Sequence, residues 1–229
     1  MRQDWLRDYA LSKISYKPRR TLCRSIKGEF VVDEWTDEGR HRWIVPGRNP
    51  EVMKSVLDIL PAHGVLMARG SVLKPYMKRD ISTLRKFYVM ENDEAPENWP
   101  SLAAIVKDGD YAAIKDFYDA SPFPREEDVL RQQIERGFVV AIKQDNMFVA
   151  AGVVDGSRGN TGVITSIFTM EAYRNRGYAL KITQALTFLI VKRKKRPILF
   201  WQNPVAGRIY QRAGFSFLPE DVELWQIHW

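Results

Sequence analysis

The chain has 229 residues, 45% of them hydrophobic and 28% charged, with a formal net charge of +7. That is ordinary for a soluble globular protein with a buried core, and it excludes the disordered and collagen-like classes. The single cysteine, Cys23, rules out an internal disulfide framework and a cysteine-rich zinc site, as suits a reducing cytosol. Three histidines, His41, His63 and His228, stand at no metal-ligand spacing, so no metal is expected. The opening "MRQDWLRDYALSKISYK" mixes acids and bases and lacks the apolar core of a secretory signal, and no stretch approaches the roughly 20 apolar residues of a membrane span. A cytoplasmic protein without a membrane partner is expected. The positive excess permits a nucleic-acid partner, an anionic cofactor, or solubility alone.

In chain order, "GEFVVDEW" (28–35) and "RHRWIVPG" (40–47) read as strands, followed by a helix over 50–60. "HGVLMARG" reads as a strand, "SVLKPYMKR" as a short helix despite Pro75, and "LRKFYVM" as a strand. These elements predict a small α/β layer. At "MENDEAPENWPS" (90–101) prolines, asparagines and acids interrupt the apolar pattern, which places a linker or a long loop there and a domain boundary at 98/99.

Beyond it, "LAAIVKDGDYAAIKDFYDAS" reads as a strand, a turn and a helix with Ala112, Ile114, Phe117 and Tyr118 apolar. "REEDVLRQQIERG" is a second helix, with acids in its first turn and Gly137 past its end. "GFVVAIK" and "MFVAAGVV" form a hairpin around Asp145 and Asn146. The glycine-rich "DGSRGNTG" then turns into a third antiparallel strand, "VITSIFT". The prediction is a three- or four-stranded meander behind two helices.

In the next helix Ala179, Ile182, Leu186, Leu189 and Ile190 share one face, widened by Leu180, Phe188 and Val191, so it is largely buried and starts near Gly177. A helix N-terminus leaves backbone N–H groups unpaired and carries partial positive charge. Opened by a glycine and flanked by Arg174 and Arg176, it is a site for a phosphate or diphosphate. The basic run "KRKKRP" (192–197) that ends this helix complements the negative end of the helix dipole, and a solvated terminus is its expected role, with nucleic-acid contact or a share in anion binding as alternatives.

The spacing Arg174-x-x-Gly177-x-Ala179 resembles the acyl-coenzyme A signature of the GNAT superfamily of N-acetyltransferases, Gln/Arg-x-x-Gly-x-Gly/Ala, between the end of a strand and the start of a long helix. A second signature of that family, Asn, then Ala, then Tyr ahead of Gly-Phe, is matched by Asn203, Ala206, Tyr210, Gly214 and Phe215. The resemblance covers 101–229. It implies a GNAT-like α/β fold: a mixed, mostly antiparallel sheet flanked by helices, with a smaller N-terminal α/β domain over 1–98 and the acyltransferase domain over 99–229.

It also implies roles. The N–H groups of Arg174, Asn175, Arg176, Gly177, Tyr178 and Ala179 would cradle the coenzyme diphosphate. Ile167, Phe168 and Thr169 would pair their main chain with the pantetheine amides, and Asn203 would bond the same arm. Tyr210 would protonate the departing thiolate as general acid. The co-substrate implied is acetyl-CoA, the partner an amine acceptor, and the activity N-acetyl transfer. No general base is named: Thr165 and Ser166 could orient a water, whereas Asp155 and Glu171 read as structural or surface residues.

The first part of the chain looks like the later half of such a domain without its anion loop. Trp35, Trp43 and Tyr76 would then either wall an acceptor pocket or, as the fuller expectation, pack a core. A non-catalytic acyl-CoA-binding or sensing module and a basic nucleic-acid-binding protein are the alternative functions.

Overall fold

The computed structural model describes residues 4–17, 20–35, 41–60, 64–76, 81–156 and 158–227, with the main chain alone at 81–84 and 226–227. His63, His228, Arg40, Ser157 and residues 77–79 of the expected short helix lie outside them. The elements are α1 (Trp5–Tyr16), β1 (Thr21–Ile26), β2 (Glu29–Trp35), β3 (His41–Val45), α2 (Pro50–Ile59), β4 (Val65–Arg69), α3 (Gly70–Leu73), β5 (Ile81–Glu91), β6 (Ala103–Ile105), α4 (Tyr111–Asp119), α5 (Glu127–Glu135), β7 (Val139–Gln144), β8 (Met147–Gly156), β9 (Thr161–Thr169), α6 (Tyr178–Lys192), β10 (Arg196–Trp201), α7 (Pro204–Arg212) and β11 (Ser216–Ile227). Among the described residues no helix is long and apolar enough to cross a membrane.

The chain forms two compact units. One holds Met1–Met90, Phe200–Gln202 and Phe217–Trp229, the other Glu91–Leu199 and Asn203–Ser216. The division at Met90/Glu91 falls at the start of the expected linker rather than at 98/99. The last strand belongs with the first unit.

In the first unit the strand order is β1-β2-β3-β4-β11-β5. β1 with β2, β2 with β3 and β4 with β11 pair antiparallel, while β3 and β4 run parallel with α2 as their crossover. Helix α2 forms where Asn49 caps it, Pro50 supplies a first-turn residue that needs no N–H partner, and Val52, Met53, Val56 and Leu57 line one face. That face packs on Val31, Trp43, Val45, Leu66, Ala68 and Trp225. Trp43 is therefore a core residue and Tyr76 packs against the same cluster, while half-buried Trp35 tilts onto His41.

Three elements of this unit, α1, β1 and β11, were not anticipated. Helix α1 starts at Asp4, whose carboxylate accepts from the N–H groups of Leu6 and Arg7. It escaped the sequence pattern because Ser12 and Lys13 are buried on the stripe that also holds Trp5, Leu6, Tyr9 and Tyr16. Lys13 lies over the Tyr9 ring, its ammonium 4.6 Å from the centroid. Strand β1 is exposed along most of its length and carries no apolar alternation. The short helix also differs: α3 ends at Leu73, and the segment holding Pro75, which has no N–H to give, tightens into a 3₁₀ turn, Lys74–Tyr76.

The second unit is a meander, β6-β7-β8-β9, antiparallel throughout, with β10 added parallel to β9. Its hairpin turns at Asp145 (φ 49°) and Asn146 (φ 62°), both left-handed, the backbone a two-residue hairpin loop requires and Asp and Asn tolerate. One face is covered by α4 and α5 through Ile114, Phe117, Tyr118, Leu130 and Ile134. The other face carries α6. A Cβ on Gly152 would meet Ile182 at 2.7 Å and Leu186 at 2.9 Å, so that glycine permits the close approach. The whole is the α/β fold expected, with mixed, mostly antiparallel pairing and flanking helices.

Candidate active site

The site begins where two parallel strands part. β9 and β10 pair from Arg196↔Thr161 to Leu199↔Ile164, yet β9 continues through residues 165–169. Along that stretch β9 is held from the β8 side, at Val153↔Thr165, Ala151↔Phe168 and Ala150↔Thr169. Its other edge has main-chain groups that β10 does not engage. In open α/β sheets the crevice past the carboxyl ends of diverging strands is where ligands bind.

The 170–177 loop carries the chain from this edge into α6. Asn175 (φ 62°) and Gly177 (φ 75°) are both left-handed, and a Cβ on Gly177 would meet nothing within 4 Å, so glycine here serves backbone conformation and open approach. No side chain caps α6. The first backbone bond of the helix is Lys181 N–H to Gly177 O at 3.1 Å, which leaves the N–H groups of Tyr178, Ala179 and Leu180 without a partner in the helix, whereas Arg174 N–H, expected in the same cradle, donates to Glu171 O at 3.1 Å. Arg174 Nε donates to Thr169 O (3.4 Å) and Arg176 Nη2 to Ala172 O (3.2 Å), so both exposed guanidiniums fold along the loop. The buried ring of Tyr178 and the half-buried Ala179 open the helix.

Directly after β10, Asn203 caps α7, its Oδ1 accepting from Val205 N–H at 2.9 Å. The amide oxygen is thereby used locally, and the amide nitrogen is the group left for another contact. Helix α7 packs on α6. It ends in a left-handed glycine, Gly214 (φ 94°), with the N–H groups of Ala213 and Phe215 both donating to Tyr210 O at 3.0 Å. Asn92 closes this end from outside, its Nδ2 donating to Ala213 O at 3.1 Å. Phe215 is buried beneath it. The Gly-Phe pair thus anchors the helix that carries Tyr210. Burial pushes the Tyr210 hydroxyl up to about 12, so it stays protonated at neutral pH.

The structure brings the β9 edge, the loop and the α6 start together along one continuous path, and sets Asn203 at the start of the neighbouring helix. Thr165 and Thr169 keep their hydroxyls buried without a hydrogen-bond partner among the described residues. Glu171 is on the surface, its side chain 90% exposed. Asp155 accepts from Arg125 Nη2 (2.9 Å) and Gln133 Nε2 (3.2 Å), and Ser166 Oγ accepts from Arg125 Nη1 (3.0 Å). Ser166 has φ 52°, a strain of about 1–3 kcal/mol for a residue with a Cβ. Fully buried Tyr118, its hydroxyl raised by burial, lies in the field of Arg125. Arg125 was not singled out from the sequence, where it reads as the first residue of the helix "REEDVLRQQIERG"; the structure starts that helix, α5, at Glu127 and leaves Arg125 in the connection before it.

The basic run is largely occupied. Arg193 donates to Leu189 O at the end of α6 and to Arg136 O, Lys195 donates to Gly159 O, and Arg196 pairs with Glu91 at 2.9 Å.

The Acetyltransferase (GNAT) family model matches residues 86–215. No curated protein matches the chain in sequence. Among solved structures the chain is similar to a GNAT-family protein from Novosphingobium aromaticivorans (TM-score 0.68, 13% identity, covering 96% of this chain and 97% of that one). It is also similar to a GCN5-related N-acetyltransferase from Kribbella flavida (0.66, 14%, 99% and 96%). A third likeness is to a GCN5-related N-acetyltransferase from Sphaerobacter thermophilus (0.59, 16%, 87% and 77%). At these identities the likeness is one of fold, and it extends over both units.

Proposed function

The chain belongs to the GNAT acetyltransferase family, and from that premise we propose that it transfers an acetyl group from acetyl-CoA to a primary amine. The observation that carries this reading is the uncapped start of α6 at the carboxyl edge of β9, beyond the point where β10 stops pairing with it. The N–H groups of residues 175–179 receive the diphosphate, that of Arg174 being taken by Glu171 O. Ile167, Phe168 and Thr169 offer main-chain partners to the pantetheine amides, and the Asn203 amide nitrogen donates to the same arm. On this reading the second unit alone holds the coenzyme.

The chemistry is a direct transfer. The amine lone pair attacks the thioester carbonyl carbon, the C–S bond breaks, and the departing thiolate takes the Tyr210 hydroxyl proton. The proton shed by the amine restores the balance through solvent. Tyr210 carries its proton at neutral pH, as a general acid must.

One observation favours a second reading, a non-catalytic acyl-CoA sensor: Asp155 is tied to Arg125 and Gln133, and Glu171 faces solvent, so neither carboxylate is poised as a base. A panel of amines, assayed for free thiol released from acetyl-CoA, separates the two. Thiol release with at least one amine is expected. Tight acetyl-CoA binding with no transfer to any amine would establish the sensor instead.

A further inference from the structure

We propose that Arg125 is a positioning residue of the acyl-donor site, setting the course of the β9 main chain over residues 165–169 by clamping two β-bulges with one guanidinium. The proposal rests on the acetyl-CoA reading given above.

β8 and β9 each carry one extra residue. Between Val154↔Ile164 and Gly156↔Val163 the surplus lies in β8, at Asp155. Between Ala151↔Phe168 and Val153↔Thr165 it lies in β9, where Ser166 is left-handed. A bulge bends its strand and re-aims a side chain. Arg125 comes from neither strand but from the connection between α4 and α5, and its planar fork spans both surplus residues, Nη1 to Ser166 Oγ at 3.0 Å and Nη2 to Asp155 Oδ1 at 2.9 Å. Gln133 on α5 steadies the same Asp155 oxygen.

The ion pair is nearly enclosed, with side chains 11% and 12% exposed. Enclosed pairs contribute little net stability, because desolvation offsets attraction, so geometry is the better account of its presence. Its location agrees. Pairing with β10 ends at Ile164↔Leu199, two residues before Ser166, which leaves the bulge to β8 and Arg125. The main chain that follows is the stretch offered to the coenzyme arm.

Ser166→Ala and Ser166→Gly decide the matter, since both delete the hydroxyl but only alanine keeps a Cβ that disfavours the left-handed backbone. Acetyl-CoA affinity is measured by calorimetry on the full chain, with the ligand-free melting temperature alongside. Ser166→Ala and Arg125→Gln should each weaken binding about tenfold, equivalent to 1.4 kcal/mol, and Ser166→Gly should stay within about twofold of wild type. Adding Ser166→Gly to Arg125→Gln should recover most of the loss.

A lower melting temperature with unchanged affinity in Arg125→Gln would reduce Arg125 to a structural role and overturn the proposal. Equal losses in the alanine and glycine variants would overturn it too, by showing that the hydroxyl itself meets the donor. If Arg125→Gln does not fold, the two Ser166 variants decide alone, because they leave the Arg125–Asp155 pair intact. A wild type that does not bind acetyl-CoA overturns the donor-site reading and this proposal together, whereas wild-type binding with indifferent variants overturns the proposal only.

Discussion

The two units contain the same crossover put to different ends. β3 leads through α2 to the parallel β4, and β9 leads through α6 to the parallel β10, each after an antiparallel neighbour, β2 or β8. In the first unit the pair stays zipped: the last residue of β3, Val45, is matched to Ala68. In the second, β9 outruns its parallel partner by the five residues 165–169. The helix starts differ in the same sense. Asn49 caps α2 by accepting from Glu51 N–H at 2.9 Å, Pro50 removes a donor, and a Cβ on Gly47 would overlap the Glu29 carboxylate. Tyr76 completes the closure by donating to Pro50 O at 2.7 Å. Helix α6 has Gly177 and no side-chain cap. One topology yields a site only where a capping amide and a proline have not already closed the helix end, which explains why a single coenzyme site is proposed for two crossovers.

The strongest attack on this contrast removes the chemistry from the open crossover. Tyr210→Phe keeps the ring and its packing but deletes the proton donor, so kcat should fall by about 10²–10⁴-fold with acetyl-CoA affinity nearly unchanged. Steady-state kinetics check it, and a drop below about threefold would mean that Tyr210 only packs. The next experiment closes α6 as α2 is closed. Acetyl-CoA at about 100 times its dissociation constant should stabilise wild type by about 2.7 kcal/mol. In Gly177→Glu, with a carboxylate at the helix start and a Cβ at φ 75°, the thermal shift should nearly vanish, while Arg176→Ala should keep much of it.

The reverse operation opens α2. Asn49→Ala should cost about 1 kcal/mol, lowering the melting temperature by about 2–4 °C for a chain of this size, and leave the acetyl-CoA shift as in wild type. A variant that gained a second coenzyme site would break the comparison.

The smallest effect concerns acid. Burial alone would raise the Glu220 and Glu34 carboxyls, but the Trp5 indole and Arg69 outweigh it for Glu220, as Lys13, Arg42 and Lys17 do for Glu34, and hold both below their ordinary value of 4.5. Their contribution is therefore full above about pH 4.5 and is lost as pH falls through the lowered folded-state values. Both lie in the first unit. Hydrogen exchange at falling pH should show α2 losing protection before α6, and Glu220→Gln should flatten the acid limb.

What could be read from the sequence was local in origin. Asp145 and Asn146 announce their turn because few residues tolerate left-handed backbone. Asn49 with Pro50, and Asn203 with Pro204, mark helix starts by the donors they satisfy or remove, and the apolar stripe of α6 gives both its burial and its beginning at Gly177. The spacing of Arg174, Gly177 and Ala179 is legible for the same reason, since the anion loop is one short piece of chain whose chemistry is its backbone.

The tertiary structure alone decided the rest. Lys13 and Ser12 conceal α1 because their burial depends on the ring of Tyr9 and on neighbouring strands. Pairing of β11 with β4 returns the end of the chain to the first unit, a long-range choice that strand-like sequence does not encode. Arg125 meets Ser166 across 41 positions and Asp155 across 30. Neither bulge leaves a mark in its own strand, because a surplus residue exists only relative to the partner that it fails to match.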